Sequence, residues 1–401
     1  MDPMGFVIIA GDMDMMLIIN DEKTGIKRCI SPEYNYHFNK NNGDFYRWGK
    51  TTDHDPKTGY LEIFDLEVSE VCNGIPDVGS DVPVPCHHCY KTNTKQGRNM
   101  SFETFKVIFD KLPQTLTQIA FGIGDLDGNP DLVKMFDYCR NNEHNPDVVP
   151  NLTINGWGLT DEWVAILKKY CGGIAVSRYD NKDVCYDAVK KLTDAGIAQV
   201  NVHMVVANEN IDSCYDLIND AVIDDRLAAM KAIVFLTLKP KGKRNTWTTI
   251  KNVKVYRDLI NHAFDRNIGI GFDSCSAPTF LAAMKDHPQF ERLSQLSESC
   301  ESDRFSGYAN VDGIWSHCSF TEGLPNWGTV DLKTIVDFNK EVWNSEAVTK
   351  FRGCLTCQDN KHISSEVYLC PVFDLYGPEV GRAESAIVES DRRTLIQIKA
   401  V

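Results

Sequence analysis

The chain has 401 residues, 43% of them hydrophobic, enough for one large domain or two of ordinary size. Its formal net charge of −14 argues against a general nucleic-acid-binding protein, which would present a basic face. No apolar run approaches the roughly 18 residues of a membrane span, and the apolar start has acids where a signal peptide needs a basic flank. We therefore expect a cytoplasmic protein with no membrane partner.

The first part of the chain predicts an extension followed by a regular α/β domain. Residues 1–60 begin with apolar strands and continue as an irregular, polar segment. A strand over 60–68 then leads into Cys72, and strand and helix patterns alternate up to residue 275. About six β/α units in succession favour a parallel sheet with right-handed crossovers, closed into a barrel or partial barrel over 61–275.

The pattern changes after residue 276, where the β/α units stop and cysteines return. We expect residues 276–401 to form a smaller, cysteine-rich α+β domain held together by metal. Five cysteines lie in it: Cys300, Cys318, Cys354, Cys357 and Cys370.

Three cysteines directly after the first barrel strand present the main chemical question. Cys72, Cys86 and Cys89 offer three thiolates, whereas a structural zinc site closes with four protein ligands. Three cysteines on a [4Fe–4S] cluster leave one iron open to a small molecule. Ligands of parallel α/β folds sit at the carboxyl ends of the strands. There we expect Cys72 together with Gly124, Asn155, Ser177 and Cys275.

The closing letters CHHCY of this group resemble the signature of radical S-adenosylmethionine (radical SAM) enzymes, CxxxCxxC with a neighbouring aromatic residue. The first gap here is 13 residues instead of three. AFGIGDLDGNPDL (120–132), TINGWGLTDEW (153–163) and VSRYD (176–180) resemble further family segments, so the likeness covers about 67–275. The whole chain also resembles uncharacterised radical SAM proteins encoded by tailed phages, which would place it in the host cytoplasm.

The resemblance implies a partial (β/α)6 barrel and a set of cofactor-binding residues. Gly124 and Asp125 correspond to residues that contact the methionine amino group. Ser177 and Arg178 correspond to contacts of its carboxylate and ribose, and an arginine suits a carboxylate because its guanidinium is bidentate. The resemblance also assigns Asn155 and Tyr90 to the cofactor site.

A second resemblance concerns the C-terminal cysteines. The stretch from Cys300 through Gly313 to Cys318 is similar to the opening motif of SPASM and twitch domains, which hold auxiliary iron–sulfur clusters. A hairpin at 310–313 would turn both thiols to one side. The resemblance implies one auxiliary [4Fe–4S] cluster on Cys275, Cys300, Cys318 and Cys370. The role of Cys354 and Cys357 stays open: they could bind zinc, replace one cluster ligand or be free thiols. The alternative to the auxiliary cluster is a structural zinc.

The implied activity is reductive cleavage of S-adenosylmethionine to a 5′-deoxyadenosyl radical that abstracts hydrogen from an amino-acid-bearing substrate, as in peptide or protein maturation. A flavodoxin or ferredoxin would donate the electron. One alternative is radical modification or isomerisation of a nucleobase in phage DNA, for example an aminoacylated thymine, supported only by the lysine-rich segment 237–254. Another is a non-catalytic zinc-binding protein. His203 is either a proton relay or a packed core residue.

Overall fold

The chain begins with an antiparallel meander of its own. The computed structural model describes residues 4–9, 16–52, 54, 56, 58–239, 241–297, 300–324 and 327–349. The strands of the meander are β1 (Met4–Ile9), β2 (Met16–Asp21), β3 (Ile26–Ile30), β4 (Asn35–Asn39) and β5 (Phe45–Trp48). The expectation of an irregular segment after the opening strands was wrong. In such short strands alternate residues are polar, which hides the apolar face in the sequence.

A buried ion pair attaches this meander to the rest of the molecule. Arg47 Nε donates to Glu62 Oε1 at 2.8 Å, just before the first barrel strand, and Arg47 Nη2 lies 3.1 Å from Glu301 Oε1. Tyr34 also donates to Glu62, and the Phe305 ring lies beneath the Arg47 guanidinium at 3.6 Å. Because breaking a buried pair leaves an uncompensated charge, these contacts hold the meander in one position.

A parallel sheet forms the body of the fold. Its first seven strands run in sequence order: β6 (Ile63–Glu67), then β9 (Gln118–Gly122), β10 (Val149–Ile154), β11 (Ile174–Ser177), β12 (Val200–Val206), β13 (Ala232–Thr237) and β14 (Ile270–Phe272). Between β6 and β9 lies a separate two-stranded hairpin, β7 (Ile75–Pro76) and β8 (Pro83–Val84). The predicted succession of β/α units is confirmed.

Helices cover the outer face of this sheet. They are α1 (Phe102–Phe109), α2 (Leu132–Asn141), α3 (Asp161–Tyr170), α4 (Lys182–Asp194), α5 (Ile211–Ile223), α6 (Val253–Asp265), α7 (Ala277–Met284), α8 (Phe290–Gln295) and α9 (Glu346–Thr349). Side-chain N-caps begin two of these helices: Ser101 Oγ accepts from Thr104 N at 3.1 Å, and Thr160 Oγ1 accepts from Trp163 N at 3.2 Å. Gly196, with φ of +82°, follows the end of α4.

The opposite face of the sheet is polar and curves inwards. Alternate strand residues face opposite sides, so Phe64 and Leu66 enter the core with the helices while Asp65 and Glu67 face the other way. Thr153 Oγ1 lies 3.3 Å from His203 Nδ1, although β11 separates their strands β10 and β12. Such a contact requires the sheet to curl towards this face.

The segment after residue 300 extends the same sheet. β15 (Ser306–Ala309) pairs parallel to β6, followed by β16 (Ile314–Ser316) and β17 (Val330–Asp331) in antiparallel order. The buried Trp315 ring stacks on Phe64 with centroids 5.8 Å apart. The predicted turn at 310–313 is present, with φ of +75° at Gly313. None of the described helices is long and apolar enough to cross a membrane.

Candidate active site

The hairpin β7–β8 brings Cys86 and Cys89 back to Cys72. Ile75 pairs with Val84 and Pro76 with Pro83, so the wide first gap of the cysteine group is a folded turn. At its base, Val71 bridges Thr94, and Cys72 N donates to Thr94 O at 3.0 Å. Gly74 permits the close return: a Cβ there would lie 1.8 Å from Val84 O. The departure from the usual spacing therefore does not separate the three cysteines.

The three thiols lie close enough to influence one another electrostatically. Burial raises the pKa of Cys72 to about 12, and the neighbouring Asp125, Cys86 and Cys89 act in the same direction. Burial likewise raises the pKa of Cys86 to about 11, with a further contribution from Cys89. Thiolates gathered in this way need a strong positive partner, and metal coordination deprotonates a thiol outright.

The residues present fit an iron–sulfur cluster. No three His, Cys, Asp or Glu side chains within the described ranges are arranged to hold one metal ion. On a [4Fe–4S] cluster each cysteine binds a different iron, so its ligands stand further apart than those of a single ion. Arg244 lies near Cys86 and favours its thiolate, and Arg244 Nε is buried without a hydrogen-bond partner in the described part of the chain. A negatively charged group beside the cysteines would satisfy it.

Asp125 connects two neighbouring strand ends to residues 72–93, here called the cysteine segment. Asn73 donates to Asp125 Oδ2 from its backbone at 2.7 Å and from its side chain at 2.6 Å, and Asn155 Nδ2 donates to Asp125 Oδ1 at 2.8 Å. A Cβ at Gly124 would lie 2.2 Å from Val71 O, so glycine permits this approach. The structure therefore brings Gly124, Asp125 and Asn155 together beside Cys72, at the predicted edge of the sheet.

Ser177 and Arg178 point to different surroundings. Ser177 hydrogen-bonds the Tyr179 hydroxyl, which in turn hydrogen-bonds the Cys86 thiol. The Arg178 guanidinium instead lies 5.8 Å from the Tyr186 ring centroid and hydrogen-bonds its hydroxyl, on helix α4. The structure thus places Ser177 with the cysteines and Arg178 with the helices. The carboxylate contact of Arg178 stays a prediction.

Tyr179 is a site residue that the sequence reasoning missed. Its hydroxyl connects β11 to the cysteine segment through Ser177 and Cys86. The available signal was its position two residues after Ser177, because alternate residues of an extended chain share a face.

Comparison with solved structures identifies the fold. Streptococcus suis SuiB bound to S-adenosylmethionine is similar with a TM-score of 0.56 over 78% of this chain and 71% of SuiB, at 13% identity. anSMEcpe with bound AdoMet and Cp18Cys peptide is similar with a TM-score of 0.52 over 79% of this chain and 94% of anSMEcpe, at 14% identity. Both are radical SAM enzymes. The chain has the radical SAM fold. No protein-family model and no curated protein sequence matches it.

Within the radical SAM fold, Tyr90 faces the C-terminal segment. Its ring lies 4.8 Å from that of Phe320, and its hydroxyl hydrogen-bonds Ser319. His88 lies between two aromatic rings, with its centroid 4.0 Å from Trp247 and 5.8 Å from Tyr179. The aromatic neighbours of Cys89 therefore contact protein rings on both sides of the segment, and the cofactor contact of Tyr90 stays a prediction.

The second cysteine group is brought together in part. Cys275 and Cys318 lie within electrostatic reach of each other, and burial raises the pKa of Cys275 to about 12. Cys300 is half-buried at the start of the segment that leads into β15. Cys354, Cys357 and Cys370 lie outside the described residues. The auxiliary cluster with its four ligands therefore stays a prediction.

Several cationic side chains of the basic segment 237–254 contact other groups of the protein. Lys239 pairs with Asp273, Lys241 Nζ donates to Ser319 O at 2.6 Å, and Arg244 Nη2 donates to Asn93 O at 2.7 Å. Lys254 pairs with Asp258 along helix α6 at 2.6 Å. Lys239, Lys241 and Arg244 thus join separate parts of the fold.

Proposed function

We propose that this protein is a radical SAM enzyme acting on an amino-acid-bearing substrate, such as a peptide or protein. The observation that carries the proposal is the convergence of Cys72, Cys86 and Cys89 beside the hydrogen-bonded pair Asp125 and Asn155. This convergence lies at the carboxyl edge of a curved parallel sheet with the radical SAM fold. When bound, a [4Fe–4S] cluster supplies an electron that cleaves S-adenosylmethionine and produces a hydrogen-abstracting radical.

The chain's own residues supply orientation and charge. Asp125 offers a carboxylate held by three hydrogen bonds from Asn73 and Asn155, which suits the ammonium group of a methionine moiety. Tyr179 donates to the Cys86 thiolate, and Ser177 fixes the Tyr179 hydroxyl. Each of these side chains is held by a second one, which is the arrangement that positions a reacting group reproducibly.

We expect the substrate to bind on the inward face of the sheet. It carries polar side chains from several strands, including Asp65, Glu67, Thr153 and His203. Glu67 is buried and contacts Lys91 Nζ at 3.0 Å and the Tyr308 hydroxyl at 3.1 Å. Burial raises the pKa of Glu67, and Lys91 opposes that effect. A polar, amino-acid-bearing group suits such a surface better than an aliphatic one.

The nucleobase alternative has less support. Its sequence argument was the lysine-rich segment, and Lys239, Lys241 and Arg244 of that segment contact protein groups. A DNA-binding surface needs cations directed at phosphates. The peptide bound in the anSMEcpe structure is consistent with the amino-acid-bearing substrate.

The test of the proposed function is anaerobic purification and reconstitution of the full chain. We expect a brown protein with about eight irons per chain if both clusters are of the four-iron type. After reduction by dithionite or a flavodoxin system, we expect 5′-deoxyadenosine from S-adenosylmethionine. A colourless zinc protein that leaves S-adenosylmethionine intact would overturn the proposal.

The substrate class is tested with fractionated cell extract. Substrate stimulates formation of 5′-deoxyadenosine, so extract is added after treatment with protease or nuclease. Stimulation that is lost with protease and kept with nuclease supports an amino-acid-bearing macromolecule. The opposite pattern would favour a nucleobase.

A further inference from the structure

We propose that residues 241–247, here called the clamp loop, position the segment 86–93 and connect it to the second cysteine group. The inference takes Cys86 and Cys89 as cluster ligands and in that respect rests on the proposed function. The contacts that support it join the clamp loop to residues 86–93, which lie far from it along the chain.

The first contact is backbone against backbone. Gly242 has φ of +106°, and a Cβ there would lie 2.2 Å from Cys89 O and 2.9 Å from Tyr90 Cα. Neither neighbouring atom belongs to a flexible side chain that could move aside. Glycine at 242 is therefore required for the clamp loop to lie directly on Cys89.

The second contact is aromatic. The Trp247 ring stacks on His88, with an interplanar angle of 21° and centroids 4.0 Å apart. Within the clamp loop, Trp247 N donates to Asn245 Oδ1 at 3.1 Å, and Asn245 Nδ2 donates to Lys241 O at 3.1 Å. The loop thus holds the indole ring in place, and the stack fixes His88, one of the two residues between Cys86 and Cys89.

The third contact holds the end of the cysteine segment. Arg244 Nη2 donates to Asn93 O at 2.7 Å, and Lys243 N donates to Thr92 Oγ1 at 3.1 Å. Thr92 has φ of +61°, a conformation that a β-branched residue adopts only under constraint from its surroundings. The clamp loop supplies part of that constraint.

The start of the clamp loop reaches the other cysteine group. Lys241 Nζ donates to Ser319 O at 2.6 Å and to Glu322 O at 3.3 Å, directly after Cys318. The preceding Lys239 hydrogen-bonds Cys275, and its ammonium lies 5.0 Å from the Phe320 ring centroid. One short stretch of chain therefore contacts the surroundings of both cysteine groups.

Hydrogen exchange of the full-length apo chain tests the clamp without any cluster. We expect amides of 86–93 to exchange about three- to tenfold faster in Trp247→Ala, as the loss of one aromatic stack implies. Trp247→Phe, which keeps a ring, should restore most of the protection. Lys241→Met should speed exchange at 319–322. Unchanged exchange at 86–93 in Trp247→Ala would overturn the inference.

Two glycine variants of the reconstituted chain test the close approach of the clamp loop to Cys89. Gly242→Ala and Gly196→Ala both carry a backbone penalty, because both glycines have positive φ. The nearest atom to a Cβ at Gly196 is the mobile Lys168 Nζ at 3.8 Å, so only Gly242→Ala collides with the cysteine segment. We expect Gly242→Ala to lose about half of the iron and to change the electron paramagnetic resonance signal of the first site, while Gly196→Ala keeps both.

The outcomes separate this inference from the proposed function. If the wild-type chain binds no cluster, the proposed function fails, and the exchange experiment still decides whether the clamp exists. If the wild type is active and the two glycine variants behave alike, only the clamp is refuted. If Gly242→Ala does not fold, hydrogen exchange of Trp247→Ala and Trp247→Phe still tests the clamp.

Discussion

The two cysteine groups of this protein are assembled in different ways. Cys72, Cys86 and Cys89 belong to one short segment that a hairpin folds back on itself. Cys275 and Cys318 come from distant parts of the chain and lie within electrostatic reach of each other in a fold where β15 joins the sheet beside β6. A ligand set with local spacing can be recognised in a sequence. A set built from distant segments depends on the pairing of strands, which has no short motif.

The two cysteine groups also differ in the side chains that surround them. Strand ends surround the first group, with hydrogen bonds from Asn73 and Asn155 to Asp125 and from Tyr179 to Cys86. The second group is bordered by Lys239, which also pairs with Asp273. The first group therefore has the supporting side chains expected of a reaction centre.

Removing the first group should abolish the reaction. We expect the double variant Cys86→Ala, Cys89→Ala to form no 5′-deoxyadenosine, because a cluster with one remaining ligand is not retained. Iron bound at the second group should stay, and iron analysis beside product assay measures both. Turnover by this variant would contradict the assignment of the first group.

Removing one ligand of the second group should have a partial effect. We expect Cys318→Ala to lose about half of the iron, the share of one four-iron cluster of two. The buried Cys139 on α2 provides a matched control, since Cys139→Ala removes a thiol that packs in the core. An iron content in Cys318→Ala equal to that of Cys139→Ala would favour zinc, or no metal, at the second group.

Asp125→Asn keeps the shape of the side chain and removes its charge. We expect about a ten- to hundredfold rise in the KM for S-adenosylmethionine, because hydrogen bonds to charged groups contribute about 1.5–3 kcal/mol. Asp127→Asn is the control, since Asp127 is exposed two residues away. Equal KM values for the two variants would remove Asp125 from the cofactor site.

Tyr179→Phe should have the smallest effect of the four. It deletes the hydrogen bonds to Cys86 and Ser177 and keeps the ring beside His88. We expect a two- to tenfold slower formation of 5′-deoxyadenosine, from a net contribution of about 0.5–1.5 kcal/mol. Tyr215→Phe on α5, whose ring packs on His262, is the control. A rate unchanged from that control would show that Tyr179 does not orient Cys86.

Much of the first group could be predicted from residue types and spacing. Gly124 and Asn155 were expected at one edge because parallel strands end together, and Asp125 was implied by the family resemblance. The structure brings the three together, with Asn155 donating to Asp125 and Gly124 lying against Val71. Arg178 was expected to contact the cofactor together with Ser177, and that contact stays a prediction. Its guanidinium lies by the Tyr186 ring, because consecutive residues leave a strand on opposite faces. The contacts of Tyr179 and Trp247 required knowledge of which strands and loops are neighbours.

The amino-acid sequence by itself determined the order of the barrel's strands and helices, the caps at Ser101 and Thr160, the turn at Gly313 and the local spacing of the first cysteine group. These features depend on periodicity and on interactions between residues close in the chain. Only the tertiary structure decided that the gap before Cys86 is a hairpin, that an antiparallel meander precedes the barrel, and that the clamp loop lies on Cys89. Such contacts join distant segments, and they follow from the curvature of the sheet and the packing of its edges.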